Sequence, residues 1–411
     1  MFTNQLALNY AEELHNYDIF PKVVAAKNES AITIKPLGWH AAFRADESYN
    51  LTVCPFDEGT PWDYPDRNNV HVQEVAPDPD GCIRFSFAFF GEQQHYIRID
   101  DGADFKIQLS VFSVEEDLVG RYPFRGDLHI HTRRSDGQQA PAVVAANYRK
   151  TGYDFFAVTD HHRYYPSLEA IAAYKDVPIE FLIVPGEEVH LPKDFANGHI
   201  NDVHIVNFGG EYSINSLVHS DQKEDCAYED NRRAMIANPP PVRSSEAHWA
   251  EIDAYAQTIN IPAALRGTER YTYAACHWIF SEINKANGLG IFCHPYWISN
   301  VLQVPPRFVD AMMTSRPFGA FEVLGGENYF EQNGFQTVQY YEDKAKGRVY
   351  PVVGSTDSHS SFNNRNSHIC STLVFAPANE RAALIQSIKD FYSVAVDTID
   401  ENPRYVGDMR L

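Results

Sequence analysis

The sequence feature that most constrains the fold of this chain is a series of short apolar runs after residue 125, most of which end in histidine or acidic residues. In chain order the runs are DLHIHT, YDFFAVTD, IEFLIVPGEE, DVHIVNF, GIFCHPY, AFEVLGG and YPVVGSTDSH. Helix-like segments such as APAVVAANYRK and NERAALIQSIKDF lie between or after them. Strands that alternate with helices are typical of an α/β fold with a parallel sheet, either a closed barrel or an open sheet. The sequence therefore predicts an α/β domain over residues 121–411.

The part of the chain before this series has a different pattern. Between about residues 20 and 120, runs such as AITIKPL, YNLTVCPF and CIRFSFAFFG alternate apolar and polar residues and are separated by turns such as PDPDG. This period of two predicts an N-terminal antiparallel, sandwich-like β-domain over residues 1–120. His40, His71 and His95 lie there without carboxylate companions, and we interpret them as surface or core histidines.

One segment interrupts the strand and helix rhythm of the second domain. The segment 209–288 is long and polar, and it contains the NPPPV stretch and the helix-like SSEAHWAEIDAYAQTI. We interpret the segment as an inserted lid or subdomain between two core strands. A surface insertion with no part in chemistry remains the alternative.

Composition restricts the partners of the protein. Lys and Arg number 34 against 55 Asp and Glu, which gives a formal charge of −21. This charge disfavours binding to duplex nucleic acid or to an anionic membrane. The acidic start, the lack of a run of about 20 apolar residues and the six widely spaced cysteines predict a cytoplasmic protein with reduced thiols, and a homo-oligomer is left open.

Histidines and carboxylates gather at the ends of the predicted strands. His129 and His131 are two residues apart, so both side chains point to the same side of a strand. The motifs SDG, TDHH (which also holds Asp160), PGEE, DVHIV, CHP and STDSH add further candidates, namely Asp136, His161, Glu188, His204, His294, Asp357 and His359. Active sites of β/α barrels form at the C-terminal ends of the strands, and buried charges are costly without a compensating cation. The series therefore predicts a metal site.

The ordered motifs H-x-H, S-D-G, T-D-H, P-G-x-E, H, H-P and D-x-H resemble those of the polymerase and histidinol phosphatase (PHP) family of metal-dependent phosphoesterases. The resemblance runs from about Arg125 to the C-terminus, and the GDLHIHT and GSTDSH segments resemble a subgroup that includes carbamate-cleaving hydrolases. It implies a distorted (β/α)7 barrel with a trinuclear metal cluster. By resemblance, His129, His131, Glu188 and Asp357 hold the first ion. Glu188, His204 and His294 hold the second, and Asp136, His161 and His359 hold the third.

The residue types are consistent with catalysis. Nine ligands over three ions, with Glu188 shared, leave coordination positions open for water and substrate. Imidazole and carboxylate ligands suit two or three Zn²⁺, Mn²⁺ or Fe²⁺ ions without choosing among them. A water that bridges two such ions becomes a hydroxide nucleophile near neutral pH, with Glu188, Asp357 and His204 as the protein groups at the reacting centre.

We therefore predict a metal-dependent hydrolase, a phosphoesterase that acts on a small phosphorylated molecule or nucleotide. The alternative within catalysis is a carboxylic ester, carbamate or amide hydrolase with the same cluster. An amidohydrolase-superfamily site also opens with H-x-H, but it typically uses a bridging lysine and closes with a solitary aspartate. A non-catalytic, metal-dependent binding module is the remaining alternative.

Several residues beside the metal motifs are candidates for substrate contact. Arg134 and Arg163, and also Arg133, could bind a phosphate through paired N–H donors, and His190 could face the site. In PGEE we prefer Glu188 to Glu187 as the ligand, because the family pattern places the acid two residues after the glycine. Glu322 ends another predicted strand and could fix the orientation of a ligand histidine.

Overall fold

The computed structural model describes Glu13 and residues 15–56, 70–190, 203–218, 240–297, 304–326, 332–362, 370–398 and 402–411. The chain divides into two compact units. Unit 1 comprises Met1–Gly120 with Arg410, and unit 2 comprises Arg121–Met409 with Leu411.

Unit 1 is built from two sheets. Its strands are Tyr17–Phe20 (β1), Val23–Ala25 (β2), Glu29–Pro36 (β3), Tyr49–Pro55 (β4), His71–Val75 (β5), Ile83–Ala88 (β6), Gln93–Asp100 (β7) and Lys106–Val114 (β8). The three-stranded sheet has the order β1-β3-β6, and the five-stranded sheet has the order β2-β8-β7-β4-β5. All of the pairs are antiparallel except β2 with β8. The parallel pair is an exception to the antiparallel prediction, and the chain reaches β2 directly from β1 of the other sheet.

The core of unit 1 follows from the alternation in its strands. Successive side chains of a strand point to opposite faces, so residues two apart share a face. Ile32 and Ile34 of β3 are buried in the same apolar cluster as Leu51 and Val53 of β4. The two sheets therefore pack face to face through these side chains.

Unit 2 contains both strands and helices. The strands are Tyr122–Asp127 (β9), Phe155–Ala157 (β10), Leu182–Val184 (β11), Gly186–Val189 (β12), Ile205–Phe208 (β13), Leu289–Phe292 (β14), Ala320–Leu324 (β15), Val352–Gly354 (β16), Cys370–Ala376 (β17), Ser393–Asp397 (β18) and Arg404–Gly407 (β19). The α-helices of the described residues are Pro141–Lys150 (α1), Tyr165–Tyr174 (α2), Ser245–Ala256 (α3), Thr268–Lys285 (α4), Pro306–Ser315 (α5), Gly334–Ala345 (α6) and Arg381–Lys389 (α7).

The strands of unit 2 form two mixed sheets, with orders β11-β10-β9-β17-β18-β19 and β12-β13-β14-β15-β16. β9, β10 and β11 are parallel, as are β14, β15 and β16, whereas β13 runs antiparallel to both of its neighbours. The domain is thus mixed α/β, and the two sheets are not joined into one closed, parallel sheet. Isolated parallel bridges, Ile130 to Ser358 and His161 to Glu188, connect residues that border the two sheets.

Helix α4 lies within the segment interpreted as an insertion. Its side chains Tyr273, Trp278 and Ile283 are buried in one apolar cluster with Ile205 of β13 and Phe292 of β14. This part of the segment therefore contributes to the core of unit 2. Residues 219–239 of the segment lie outside the described residues.

Two further sequence predictions concern the state of the cysteines and the lack of a membrane-spanning segment. Five cysteines of the described residues are buried and free, namely Cys54, Cys82, Cys276, Cys293 and Cys370. Cys226 lies outside the described residues. Among the helices of the described residues, none has both the length and the apolar character needed to cross a membrane.

Candidate metal centre

The structure brings the predicted ligands to one edge of the strands of unit 2. His129 and His131 do not lie on a strand as predicted, because β9 ends at Asp127, and they follow that strand; His161 follows β10, and Glu188 lies in β12. His294 follows β14, and Asp357 and His359 follow β16. His204 instead precedes β13, and because β13 runs antiparallel, its first residues lie at the same edge as the last residues of its neighbours.

Glu188 lies at the centre of the cluster. Its Oε2 is 3.5 Å from His129 Nε2, 3.4 Å from His131 Nε2 and 2.7 Å from His161 Nδ1. Its Oε1 is 2.7 Å from His204 Nδ1. The two oxygens of one carboxylate thus face different histidines, which is the arrangement that a shared ligand of two cations requires.

Asp357 completes the inner part of the cluster. Its Oδ1 lies 3.3 Å from His129 Nε2 and 2.8 Å from His131 Nε2, and its Oδ2 lies 3.6 Å from His294 Nε2. The backbone of both Asp357 and His294 has a positive φ, 48° and 22° respectively. Non-glycine residues in this region are strained, and such strain concentrates at functional sites.

Asp136 forms a second group at the rim of the cluster. Its Oδ2 is 3.2 Å from His359 Nε2 and 3.5 Å from His161 Nε2, and its Oδ1 is 3.8 Å from His131 Nδ1. These four residues could hold a metal ion together. The side chains of Asp136 and His359 are 53% and 41% exposed, so this group faces solvent, whereas Glu188 and His129 are fully buried.

The ligand atoms themselves fit bound cations. Several buried ring nitrogens and carboxylate oxygens have no hydrogen-bond partner in the part of the chain that the structure describes, namely His129 Nε2, His131 Nδ1 and Nε2, His294 Nε2, both oxygens of Glu188, and Asp357 Oδ1. Buried polar atoms without partners are costly. Metal bonds of about 2.1 Å place neighbouring ligand atoms roughly 3.0–3.4 Å apart, and several of the observed separations lie close to this range. Divalent cations would satisfy these atoms.

The carboxylates and histidines of the cluster shift one another's pKa values. Burial disfavours the charged form of Glu188, but His161 and His204 hold its pKa well below the usual value. The pKa of Asp357 is likewise lowered, because His129 and His131 outweigh its burial. Burial lowers the pKa of His131 and of His294. Neighbouring carboxylates outweigh burial and raise the pKa of His129, His161 and His359. These three histidines would release a proton when they bind a cation.

Residues behind the ligands hold them in place. Glu322 Oε2 lies 3.1 Å from His129 Nδ1, the contact expected of a residue that orients a ligand histidine. Asp160, although part of the TDHH motif, accepts hydrogen bonds from Thr132 N at 2.9 Å and from Ser135 Oγ at 2.6 Å. Gly137 is required in this turn, because a Cβ there would lie 2.5 Å from the carbonyl oxygen of His131.

Glu187 and Glu188 point in opposite directions. Glu187 accepts hydrogen bonds from Ser213 Oγ at 2.6 Å, from Asn207 Nδ2 at 3.1 Å and from Asn215 Nδ2 at 2.9 Å. The carboxylate oxygens of Glu187 are therefore used in hydrogen bonds within the protein, and only Glu188 faces the histidines.

The residues predicted to contact substrate have protein partners. Arg134 forms a two-point ion pair with Glu169, with N–O distances of 2.8 and 2.9 Å. Arg163 donates to the carbonyl oxygen of Arg134. His190 lies beside the metal ligands, with Nε2 2.9 Å from His161 Nδ1. Substrate contact by any of the three stays a prediction, and Arg133 is exposed.

Two neighbours of the cluster were not predicted from the sequence. Asn215 bonds to Glu187, to the carbonyl oxygen of Glu188 and to the backbone N–H of His190. Cys293 lies within reach of His129 and Glu322. A lone asparagine or cysteine carries no spacing signal, although Cys293 directly precedes the ligand candidate His294.

Comparisons with known proteins give structural neighbours alone. No protein-family model and no curated protein matches the sequence. A two-domain protein from Bacteroides vulgatus ATCC 8482, described as containing a predicted PHP-like metal-dependent phosphoesterase, is 16% identical with a TM-score of 0.42. That similarity covers 67% of this chain and 65% of the other, so this chain spans slightly less than two thirds of that protein.

Two further solved structures resemble this one. An amidohydrolase from Chromobacterium violaceum, with bound sulfate and no metal, is 17% identical with a TM-score of 0.32, over 57% of this chain and 87% of that one. PsfC from Pseudomonas syringae PB-5123 is 14% identical with a TM-score of 0.33, over 64% of this chain and 87% of that one. A PHP-like phosphoesterase and an amidohydrolase are thus among the structural neighbours. Because these TM-scores lie below 0.5, the case for function rests on the residues of the site.

Proposed function

We propose that this protein is a metal-dependent hydrolase of the PHP type that cleaves phosphate esters of a small molecule or nucleotide. The observation that carries the proposal is the set of buried nitrogen and oxygen atoms around Glu188 and Asp357 that have no hydrogen-bond partner among the described residues. A site of purely structural histidines would satisfy these atoms within the protein, because leaving them unpaired costs free energy.

The ligands divide into three groups around the shared Glu188. His129, His131, Glu188 and Asp357 would hold one ion, and Glu188, His204 and His294 a second. Asp136, His161 and His359 would hold a third, with His131 Nδ1 also nearby. Bound Zn²⁺, Mn²⁺ or Fe²⁺ would supply a water nucleophile at neutral pH and would neutralise negative charge on the substrate.

The protein's own groups determine how substrate approaches. Asp136 and His359 are the exposed members of the cluster, so a phosphate ester would enter from their side and place its oxygens between the histidines. Glu322 would accept the Nδ1–H of His129, which would leave the Nε2 lone pair of His129 to bind an ion shared with Glu188 and Asp357. The inner ligands are buried, which reduces screening of their charge by water.

We also propose that the strands around the site form the distorted (β/α)7 barrel that the family resemblance implies. One apolar cluster collects residues from or beside seven strands, namely Leu128, Phe155, Val184, Val206, Ile291, Ala320 and Val353. The bridges Ile130–Ser358 and His161–Glu188 lie where the two sheets would close. The start of the segment 209–288 would border the site, as the lid interpretation requires, because Asn215 contacts the backbone of Glu188 and His190.

A substrate panel tests the proposed function. After reconstitution with Mn²⁺, Fe²⁺ or Zn²⁺, we expect hydrolysis of phosphomonoesters or phosphodiesters and no activity in an Asp357→Asn variant. Hydrolysis restricted to carboxylic esters, carbamates or amides would replace the substrate class while keeping the metal mechanism. Metal binding without turnover on any ester would contradict the enzyme assignment and favour a binding module.

A further inference from the structure

His190 is not among the nine proposed ligands, although His161, Glu188 and His190 form a group that could hold a metal ion and His190 Nε2 lies 3.5 Å from Glu188 Oε1. It lies two positions after Glu188, so both side chains extend toward the cluster, while Val189 between them packs into the apolar core. Its side chain is 10% exposed. The backbone N–H of His190 donates to Asn215 Oδ1 at 2.9 Å, and Asn215 Nδ2 donates to the carbonyl oxygen of Glu188 at 3.2 Å. The chain therefore holds His190 firmly beside the metal ligands.

The two nitrogens of His161 face different groups. Nε2 lies 3.5 Å from Asp136 Oδ2, in the exposed group at the rim. Nδ1 has two near neighbours, Glu188 Oε2 at 2.7 Å and His190 Nε2 at 2.9 Å. Only the contact with His190 has the geometry of a hydrogen bond, and both Glu188 oxygens are without a hydrogen-bond partner among the described residues.

A neutral imidazole that binds a metal through one nitrogen carries its proton on the other, and the partner of that proton fixes the tautomer and the ring orientation. We propose that His190 is a positioning residue that accepts the Nδ1–H of His161 and so directs His161 Nε2 at the ion held with Asp136 and His359. This inference rests on the proposed metal centre. Because His161 donates to His190 in this arrangement, both oxygens of Glu188 stay available for the inner ions.

The proposal has a consequence for the three ions. A carboxylate or carbonyl is the usual acceptor behind a metal-bound histidine. An imidazole acceptor carries no charge, so it raises the basicity of His161 less than a carboxylate does. The ligands Asp136 and His359 are also the exposed ones. The rim ion is therefore held more weakly than the inner pair, and its retention depends on His190.

Two variants of similar size separate the role of the acceptor from that of volume. His190→Gln retains an oxygen that can accept from His161, whereas His190→Leu fills the space without an acceptor. We expect His190→Leu to bind the rim ion about 10–100-fold more weakly, and His190→Gln to lie within about tenfold of the original protein. Equilibrium dialysis against Mn²⁺ with elemental analysis measures both, and the absorption spectrum of Co²⁺-loaded protein reports the change in the ligand field.

A double variant identifies which ion is affected. His359→Ala removes a rim ligand directly, so His190→Leu combined with His359→Ala should bind the same number of ions as His359→Ala alone. Loss of a further ion in the double variant would make His190 a ligand of the inner pair and overturn the proposal. Unchanged affinity in His190→Leu, or equal loss in a folded His190→Gln, would also overturn it. Failure of the unmodified protein to bind any ion would instead contradict the proposed function, and this inference with it.

Discussion

At the scale of single residues, the two neighbouring glutamates of β12 show how strand geometry assigns chemistry. Successive side chains of a strand face opposite sides, so Glu187 and Glu188 cannot share a role. Glu187 is surrounded by donors from Ser213, Asn207 and Asn215, and Glu188 by the ring nitrogens of histidines. The family resemblance, whose pattern places the acid two residues after the glycine, was enough to prefer Glu188, whereas the donors around Glu187 become visible only in the fold.

Replacing each glutamate by glutamine tests this division. Glu188→Gln keeps the shape but removes the charge, and an amide nitrogen has no lone pair to offer a cation. We expect loss of bound metal and a fall in kcat of at least about a thousandfold, roughly 4 kcal/mol in the barrier. Glu187→Gln is the matched control and should retain metal and rate, while losing about 1–3 kcal/mol of stability from its buried hydrogen bonds. A larger loss of metal and rate in Glu187→Gln would show that the two roles are reversed.

The buried His95 of β7 predicts that the stability of unit 1 depends on pH. Its side chain is fully buried, its Nε2 has no hydrogen-bond partner among the described residues, and burial lowers its pKa to about 4. The unfolded chain takes up the proton near pH 6.5, so the contribution of neutral His95 to stability is complete above about pH 6.5 and is lost as the pH falls toward 4. At pH 5 the loss amounts to about 2 kcal/mol.

Urea unfolding at pH 7.5 and pH 5 measures this effect as a difference between proteins. Between pH 7.5 and pH 5, the free energy of unfolding of the original protein should fall by about 2 kcal/mol more than that of His95→Leu, because the variant has no imidazole at this position to protonate. His71→Leu, at an exposed position of the same sheet, controls for loss of a histidine. Equal pH dependence of the original protein and His95→Leu would refute the burial argument.

At the scale of elements, the positions of most strands along the chain of unit 2 could be predicted from the sequence, but the directions in which they pair could not. Six of the seven predicted runs in unit 2 contain all or part of a strand, because buried strands are continuous apolar runs bounded by polar residues, whereas DLHIHT begins at Asp127, where β9 ends. The reversal of β13 has no such signature, since a buried run looks the same in either direction. The antiparallel strands β17, β18 and β19 were not predicted. β17 joins them to β9, which lies far away in the chain, and β18 and β19 then add to β17 in turn.

The turn after β9 carries Asp136 and is held by Asp160. Both carboxylate oxygens of Asp160 accept hydrogen bonds from Thr132, and Ser135 donates two more. In Asp160→Asn one oxygen becomes a donor, so we expect a loss of about 1–3 kcal/mol in stability and selective weakening of the rim ion. Thermal unfolding and metal titration measure the two effects.

Asp154→Asn is the control for this prediction. Asp154 Oδ2 also accepts from a backbone N–H, that of Arg125 at 2.8 Å, but it precedes β10 and is not among the residues of the metal centre. It should lower stability and leave the ions in place. Unchanged affinity for every ion in Asp160→Asn would show that the turn does not depend on this carboxylate.

At the scale of the whole molecule, the candidate metal-binding groups are concentrated in unit 2. The groups of histidine, cysteine and acidic residues that could hold a metal ion in the described part of the chain all belong to unit 2. Unit 1 contains buried polar pairs of another kind, such as Arg98 Nε donating to Gln108 Oε1 at 2.8 Å. These pairs join neighbouring strands of one sheet and have the character of structural contacts.

We therefore expect substitutions in unit 1 to change stability and leave catalysis intact. Gln108→Ala removes one acceptor of the buried Arg98 guanidinium, so the free energy of unfolding should fall by about 1–3 kcal/mol. Metal content and kcat should stay within a few-fold of the original values, measured on the folded variant. A single substitution in unit 1 that reduced kcat a thousandfold without unfolding or metal loss would place a catalytic group there.

The metal content of the protein tests the central claim most directly. Elemental analysis of protein reconstituted with Mn²⁺, Fe²⁺ or Zn²⁺ and freed of excess metal should find two or three transition-metal ions per chain. Removal of these ions by a chelator should abolish hydrolysis, and their return should restore it, because the ligands converge on one edge of the strands. At most one ion per chain, with hydrolysis retained after chelation, would contradict the account.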